Sequence, residues 1–173
     1  LLQPRDYING IQLIIGLGLL FGAVFIANPT IVAPMYNTVV PEGTPPLLPL
    51  LFVTIACGAL SGFHGLVASG TTSKQLNKET DARFVGYLGS SGEGLLALVT
   101  IIAVSAGFAS LGEWQTTYAE FGLTGIPTFV EGGSQIVSDG TPLSKEFAAT
   151  LLAVMAVLFA GTTMDAGVRL QRY

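Results

Sequence analysis

Residues 8–27 read INGIQLIIGLGLLFGAVFIA, twenty positions without a charged side chain. A helix needs roughly 20 mostly apolar residues to cross the hydrocarbon core of a bilayer, so this stretch by itself predicts a membrane span. Pro29 stands just beyond it, where helices commonly stop. Three further runs follow the same pattern. Residues 47–73 carry no charge before Lys74, residues 84–111 carry only Glu93, and residues 147–168 carry only Asp165. A transmembrane barrel would show alternating segments of about ten residues instead. The chain is therefore read as all-α, a single transmembrane bundle segment over residues 1–173 with four transmembrane helices.

Composition agrees with lipid as the solvent. Half of the 173 residues are hydrophobic and 10% are charged, against roughly a quarter charged in a soluble domain. The net charge is −4, and the basic residues form no stripe, which argues against a nucleic-acid partner. Cys57 is the only cysteine; it reads as a small buried hydrophobe, with no disulfide framework or cysteine metal cluster. The chain begins Leu1-Leu2-Gln3-Pro4 without a Met and is expected to be a piece of a longer protein.

Orientation follows from the excess of Lys and Arg in cytoplasmic loops. Arg5 precedes the first run, Lys74, Lys78 and Arg83 lie between the second and third, and Arg169 and Arg172 end the chain; Lys145 alone lies on the other side. Both termini of this segment are expected in the cytoplasm. The connection 112–146 is then outside, so that a cysteine at Ser134 should be reachable there and one at Asn77 should not. It is too long for a simple turn and is expected to be structured. Trp114, Tyr118 and Phe121 recur at helical spacing, fitting either a short helix packed over the bundle or a substrate gate.

Three places carry polar chemistry at membrane depth. In the second run, Gly58, Gly62, Gly65 and Gly70 alternate with Ser61, Ser69, Thr71, Thr72 and Ser73. Such a stretch weakens a helix and needs polar partners. It is read either as a discontinuous helix at a binding site or as a small-residue packing face. His64, the only histidine, is a packed side chain or a proton relay. Glu93, within GSSGEG at 89–94, is an interhelical tether or a proton-coupling carboxylate, since a charge at this depth normally faces a bundle interior or an aqueous cavity. Near the end of the fourth run, Thr162, Thr163 and Asp165 offer the hard oxygen ligands that small cations prefer. Arg169, four residues after Asp165, supplies the competing reading of a helical ion pair.

The strings LQPRDY (2–7), ACGALSGFHGLVASGTTSKQL (56–76), EGLLA (93–97) and TTMDAGVRLQRY (162–173) resemble the carbon starvation A family. The resemblance implies a cytoplasmic-membrane transporter linked to peptide or pyruvate uptake. It also implies a ten-helix, LeuT-like inverted-repeat core, of which the four runs would be helices five to eight. By this carry-over, Ser61, Gly62, Phe63 and His64 would line a substrate site at a broken sixth helix. Thr162 and Thr163 would stand near a cation position on the eighth. Ala166 stands where the family usually carries a threonine.

The function expected is part of an ion-coupled secondary transporter for small organic anions or short peptides. Ser61, Gly62, Phe63 and His64 are the candidate substrate-binding residues, and Glu93, Thr162, Thr163 and Asp165 the candidates for ion coupling. No enzyme, catalytic residue, metal or cofactor is expected; the coupling ion is a proton or sodium. Partners are the lipid bilayer, a small-molecule substrate, and the remaining helices of the same protein or partner subunits. The alternative reading is a noncatalytic, transporter-like subunit of a larger membrane complex.

Overall fold

The first apolar run forms one helix, α1 (Leu2–Ala27), in the computed structural model, which describes residues 2–37, 40–60, 63–119 and 125–171. Asn28 ends the helix with a left-handed backbone, φ 45°, and its N–H donates to the Val24 carbonyl at 2.9 Å, as a C-terminal cap does. The second run departs from a regular α-helix. It forms α2 (Leu47–Leu60), α3 (Phe63–Val67), a π-helical segment at Ala68–Thr72, and α4 (Ser73–Gln75). There follow α5 (Asp81–Ala106), α6 (Leu111–Thr117), α7 (Gly125–Gly140) and α8 (Lys145–Leu170). No strand occurs among the described residues.

Among those residues, three helices are long and apolar enough to cross a membrane: Tyr7–Ala27, Asp81–Ala106 and Lys145–Arg169. Residues 61 and 62 of the expected second span lie outside the described residues, and its later part takes the π form at Ala68–Thr72, where glycine and hydroxyl residues lower helix stability. Serines and threonines there can also bond to nearby backbone in place of the regular ladder. The third run stops at Ala106 rather than continuing to 111. Ser110 then begins a new helix by accepting from the Glu113 N–H at 3.3 Å, while the Glu113 carboxylate accepts from the Ala109 N–H at 3.0 Å. This reciprocal pair is a variant of the capping box.

Contacts fix the helix directions. Asn9 on α1 bonds Thr162 near the end of α8, and Gly16 lies against Met155, so α1 and α8 are antiparallel. The Val32 and Ala33 N–H groups, just past α1, both donate to the Ser105 carbonyl at 2.9 and 3.0 Å, so α5 runs with α1. The bundle has a basic end, near the starts of α1 and α5, and an acidic end, where α6 and α7 sit.

The connection 112–146, expected to be structured and external, supplies the centre of the packing. α7 packs against α1, α5 and α8. It contributes Phe129, Ile136 and Val137 to a core with Leu20 and Ala23 of α1, Val99 and Ala103 of α5, and Ala148, Leu152 and Met155 of α8. Its glycines make this possible. A Cβ at Gly132 would strike the backbone of Ala103, and one at Gly107, just past α5, would strike that of Gly132. A Cβ at Gly140 would lie 2.5 Å from the Ala23 carbonyl oxygen, and one at Gly133 would lie 2.8 Å from a Leu152 methyl. Small residues let membrane helices approach backbone to backbone, where van der Waals contact replaces the missing hydrophobic drive. Ser134, expected to be reachable, is instead fully buried at 0% exposure, its hydroxyl donating to the Glu131 carbonyl at 2.9 Å.

α6 lies over the end of α5. The Trp114 indole N–H donates to the Val104 carbonyl at 3.1 Å, and the Tyr118 ring packs on the Trp114 ring at 4.6 Å between centroids. Trp114 is buried. Phe121, the third aromatic of this series, lies outside the described residues.

Two glycine substitutions test the packing. Gly132→Val drives a branched side chain into the α5 backbone and should cost at least about 1–3 kcal/mol, the usual range for overpacking, read as a lower thermal midpoint in detergent. Gly112→Ala meets only the Ser110 hydroxyl, at 3.9 Å, and should leave the midpoint unchanged.

Candidate functional site

Ser61 and Gly62, two of the four candidate substrate-binding residues, lie outside the described residues. Phe63 opens α3, and His64 follows it as an exposed residue. Beyond them the chain takes the π form at Ala68–Thr72. There the Ser73 N–H donates to the Ala68 carbonyl, five residues back. Wider turns of this kind are rare and are frequent at functional sites. The hydroxyls are bonded to their own helix: Ser69 donates to the Leu66 carbonyl at 3.1 Å and Ser73 to the Ser69 carbonyl at 2.6 Å. Such back-bonding satisfies the donors that lipid could not, while leaving oxygen lone pairs as acceptors.

α3 packs against α8, bringing the helix that carries His64 to the one that carries Thr162, Thr163 and Asp165. Thr162 has the more developed surroundings. Its hydroxyl donates to the Leu158 carbonyl at 2.7 Å and accepts from the Asn9 side-chain amide at 3.0 Å. One acceptor position remains on the oxygen, since a hydroxyl has two lone pairs. Thr163 donates to the Phe159 carbonyl at 3.2 Å and is exposed. Asp165 forms the ion pair that its spacing allowed, with Arg169 Nη2 2.8 Å from its Oδ2. Both side chains are partly buried, at 25% and 30% exposure. Such a helical pair contributes a few tenths of a kcal/mol, about 0.3–0.5 when exposed.

Glu93 is not brought into this group. It lies on the basic-end half of α5, where residues 82–95 are exposed at every position except Gly92. Asn9 is the residue that the sequence reading passed over. Its signal was present, because an amide inside an apolar helix must find a partner. Its partner lies 153 positions away, so only the antiparallel packing of α1 and α8 reveals it.

Relatives bear on what this arrangement serves. The profile of the carbon starvation protein CstA family matches residues 1–113. The chain is 43% identical over 113 residues to the pyruvate/proton symporter BtsT of Escherichia coli K12, covering 61% of this chain and 15% of that protein. It is 42% identical over 110 residues to the peptide transporter CstA of Mycobacterium tuberculosis H37Rv, covering 61% and 14%. The peptide transporter CstA of Bacillus subtilis 168 aligns along the whole chain, at 32% identity over 204 positions and 34% of its own length. The chain therefore spans about a seventh to a third of these relatives. No solved structure matches it. More than half of the chain fits the family profile, several relatives exceed 40% identity, and apolar helices of spanning length carry the match: this is a multi-pass membrane chain that belongs to the carbon starvation protein CstA family.

Proposed function

We propose that the chain forms part of an ion-coupled secondary transporter for small organic anions or short peptides. The names of its relatives, a pyruvate/proton symporter and peptide transporters, support transport and give no support to a noncatalytic subunit. The observation that carries the coupling role is the Asn9–Thr162 bond between α1 and α8, with Asp165 three residues further along the same helix. Two hydroxyls, an amide and a carboxylate at one end of an apolar bundle provide oxygen ligands for sodium, or a carboxylate for a proton. They also join two helices whose relative movement an ion could bias.

In this reading the chain contributes helices five to eight of a LeuT-like core. Ser61, Gly62, Phe63 and His64 form the substrate-facing part, and Thr162, Thr163 and Asp165 the ion-linked part. Glu93 serves as a second carboxylate facing helices supplied from elsewhere in the protein. Alternating access then comes from rocking of one repeat against the other around the site. The ion can drive the cycle only as far as its affinities for the two states differ.

Asp165→Asn in the full-length protein should shift the sodium or proton concentration for half-maximal uptake by at least about fivefold, the lower range of measured couplings. Uptake normalised to folded protein, measured over a series of sodium concentrations and pH values, checks this. Superimposable curves for the two proteins would leave Asp165 only its structural pair with Arg169.

The basic end is proposed to face the cytoplasm. Gln115 on α6 and Asn77 between α4 and α5 are both exposed, which makes them better reporters than Ser134. A cysteine replacing Gln115 should react with an impermeant maleimide added to intact cells, and one replacing Asn77 only after lysis. The opposite pattern would invert the orientation.

A further inference from the structure

The first half of α5 presents two unlike sides. Phe84, Leu88, Leu95 and Leu98 recur at helical spacing and are exposed. Glu93 stands nine positions after Phe84, about two and a half turns, and therefore on the far side of the helix. Ala82, Gly86, Gly89 and Ala97 share that far side, and a Cβ at Gly86 or Gly89 would meet nothing within 4 Å. Small residues admit a close neighbouring helix, and a carboxylate at this depth faces protein or an aqueous cavity. The Glu93 side is thus the one suited to further helices, and the side of large apolar residues is the one suited to lipid.

Arg83 stands at the head of the lipid side. With Thr80, Phe84, Tyr87, Leu88 and Ser91 it lines an open groove of about 590 Å³ along the helix. Its guanidinium lies 5.9 Å from the centre of the Tyr87 ring, a contact that occupies no acceptor and leaves N–H donors over. Among the described residues no carboxylate pairs with it. Residues 74–83 carry Lys74, Lys78 and Arg83 against Glu79 and Asp81, a net charge of +1. The groove therefore combines a planar cation that can fork onto phosphate oxygens, the hydroxyls of Thr80, Tyr87 and Ser91, and an apolar floor. From Phe84 to Leu95 that floor runs about 16 Å, the depth of one leaflet of a hydrocarbon core roughly 30 Å thick. Basic side chains beside a membrane attract anionic headgroups, and a tyrosine ring suits the headgroup level.

We propose that this groove holds one anionic phospholipid, its phosphate on Arg83 and Thr80 and an acyl chain along Phe84, Leu88 and Leu95. The occupant is a lipid rather than soluble phosphate because the unpaired charge heads a continuous apolar strip. The orientation proposed above assigns it to the cytoplasmic leaflet; its binding does not depend on the transporter reading.

The full-length protein in a cysteine-free background, with Leu95→Cys carrying a bimane fluorophore, should be reconstituted with lipids brominated on their acyl chains. Leu95 lies about 18 Å along the helix from Arg83, so the label senses the chain without touching the headgroup. Quenching should reach half its maximum at about fivefold less brominated phosphatidylglycerol than brominated phosphatidylcholine, the effect of one basic side chain on an anionic lipid. Arg83→Gln should reduce this ratio below about twofold. Lys78→Gln, the same charge change outside the groove, should preserve it, and millimolar inorganic phosphate at constant ionic strength should not displace the lipid. No quenching by either lipid would show the strip covered by protein, and equal quenching would show lipid contact without a headgroup site; either overturns the proposal. So would a preference that survives Arg83→Gln, an equal loss in Lys78→Gln, or displacement by phosphate. Arg83 is exposed, so its replacement spares the core. Even if that variant fails to insert, the wild-type comparison of the two lipids and of added phosphate decides.

Discussion

The close approach of α7 to its neighbours is the contact on which the acidic half of the bundle depends. Lipid tails are as apolar as leucine side chains, so burying Leu20 or Leu152 gives no solvent-driven gain of the kind available in water. What remains is contact area, and contact area requires short distances. Gly132 against Ala103, Gly107 against Gly132, and Gly140 against Ala23 set those distances at the backbone itself. The side chains of Ile136, Val137 and Phe129 then reach the facing helices. The polar content of α7 is placed accordingly. Ser134 is buried and bonded within its helix, and Glu131 is half exposed and pairs with Lys145 at 2.6 Å, at the start of α8.

The three long helices were legible because each presents a long apolar run with at most one charge, and their ends were legible in part. Pro29 marked the end of α1, although the residue that turns the backbone is Asn28. α7 was not legible as a core helix. It is 16 residues long, contains Pro127, Glu131 and Asp139, and has too few apolar residues to resemble a span. Its burial follows from glycines that read equally well as loop punctuation. Only the facing helices distinguish the two meanings.

At the candidate site, the chemistry of single residues was legible and their partners were not. The spacing of Asp165 and Arg169 allowed their pairing as one of two readings, because four residues bring two side chains to one helix face, and the structure forms it. The glycines and hydroxyls after Cys57 marked a stretch weak as a helix, fitting a broken helix or a packing face, and the π turn at Ala68–Thr72 is one of several forms such a stretch can take. Asn9 and Thr162 were each visible as polar residues in apolar surroundings. Their bond is a property of two antiparallel helices and of no local pattern.

The carbonyls that close α5 have a mechanical meaning. The last carbonyls of a helix lack partners within it, and here Ser105 receives two N–H groups from the connection after α1 while Val104 receives the Trp114 indole. An axial slip of α5 by one residue, about 1.5 Å, would break all three bonds together rather than one after another. The cap over this end is geared to α5: the connection after α1, the short helix α6 and the long helix α5 move as one piece or separate as one.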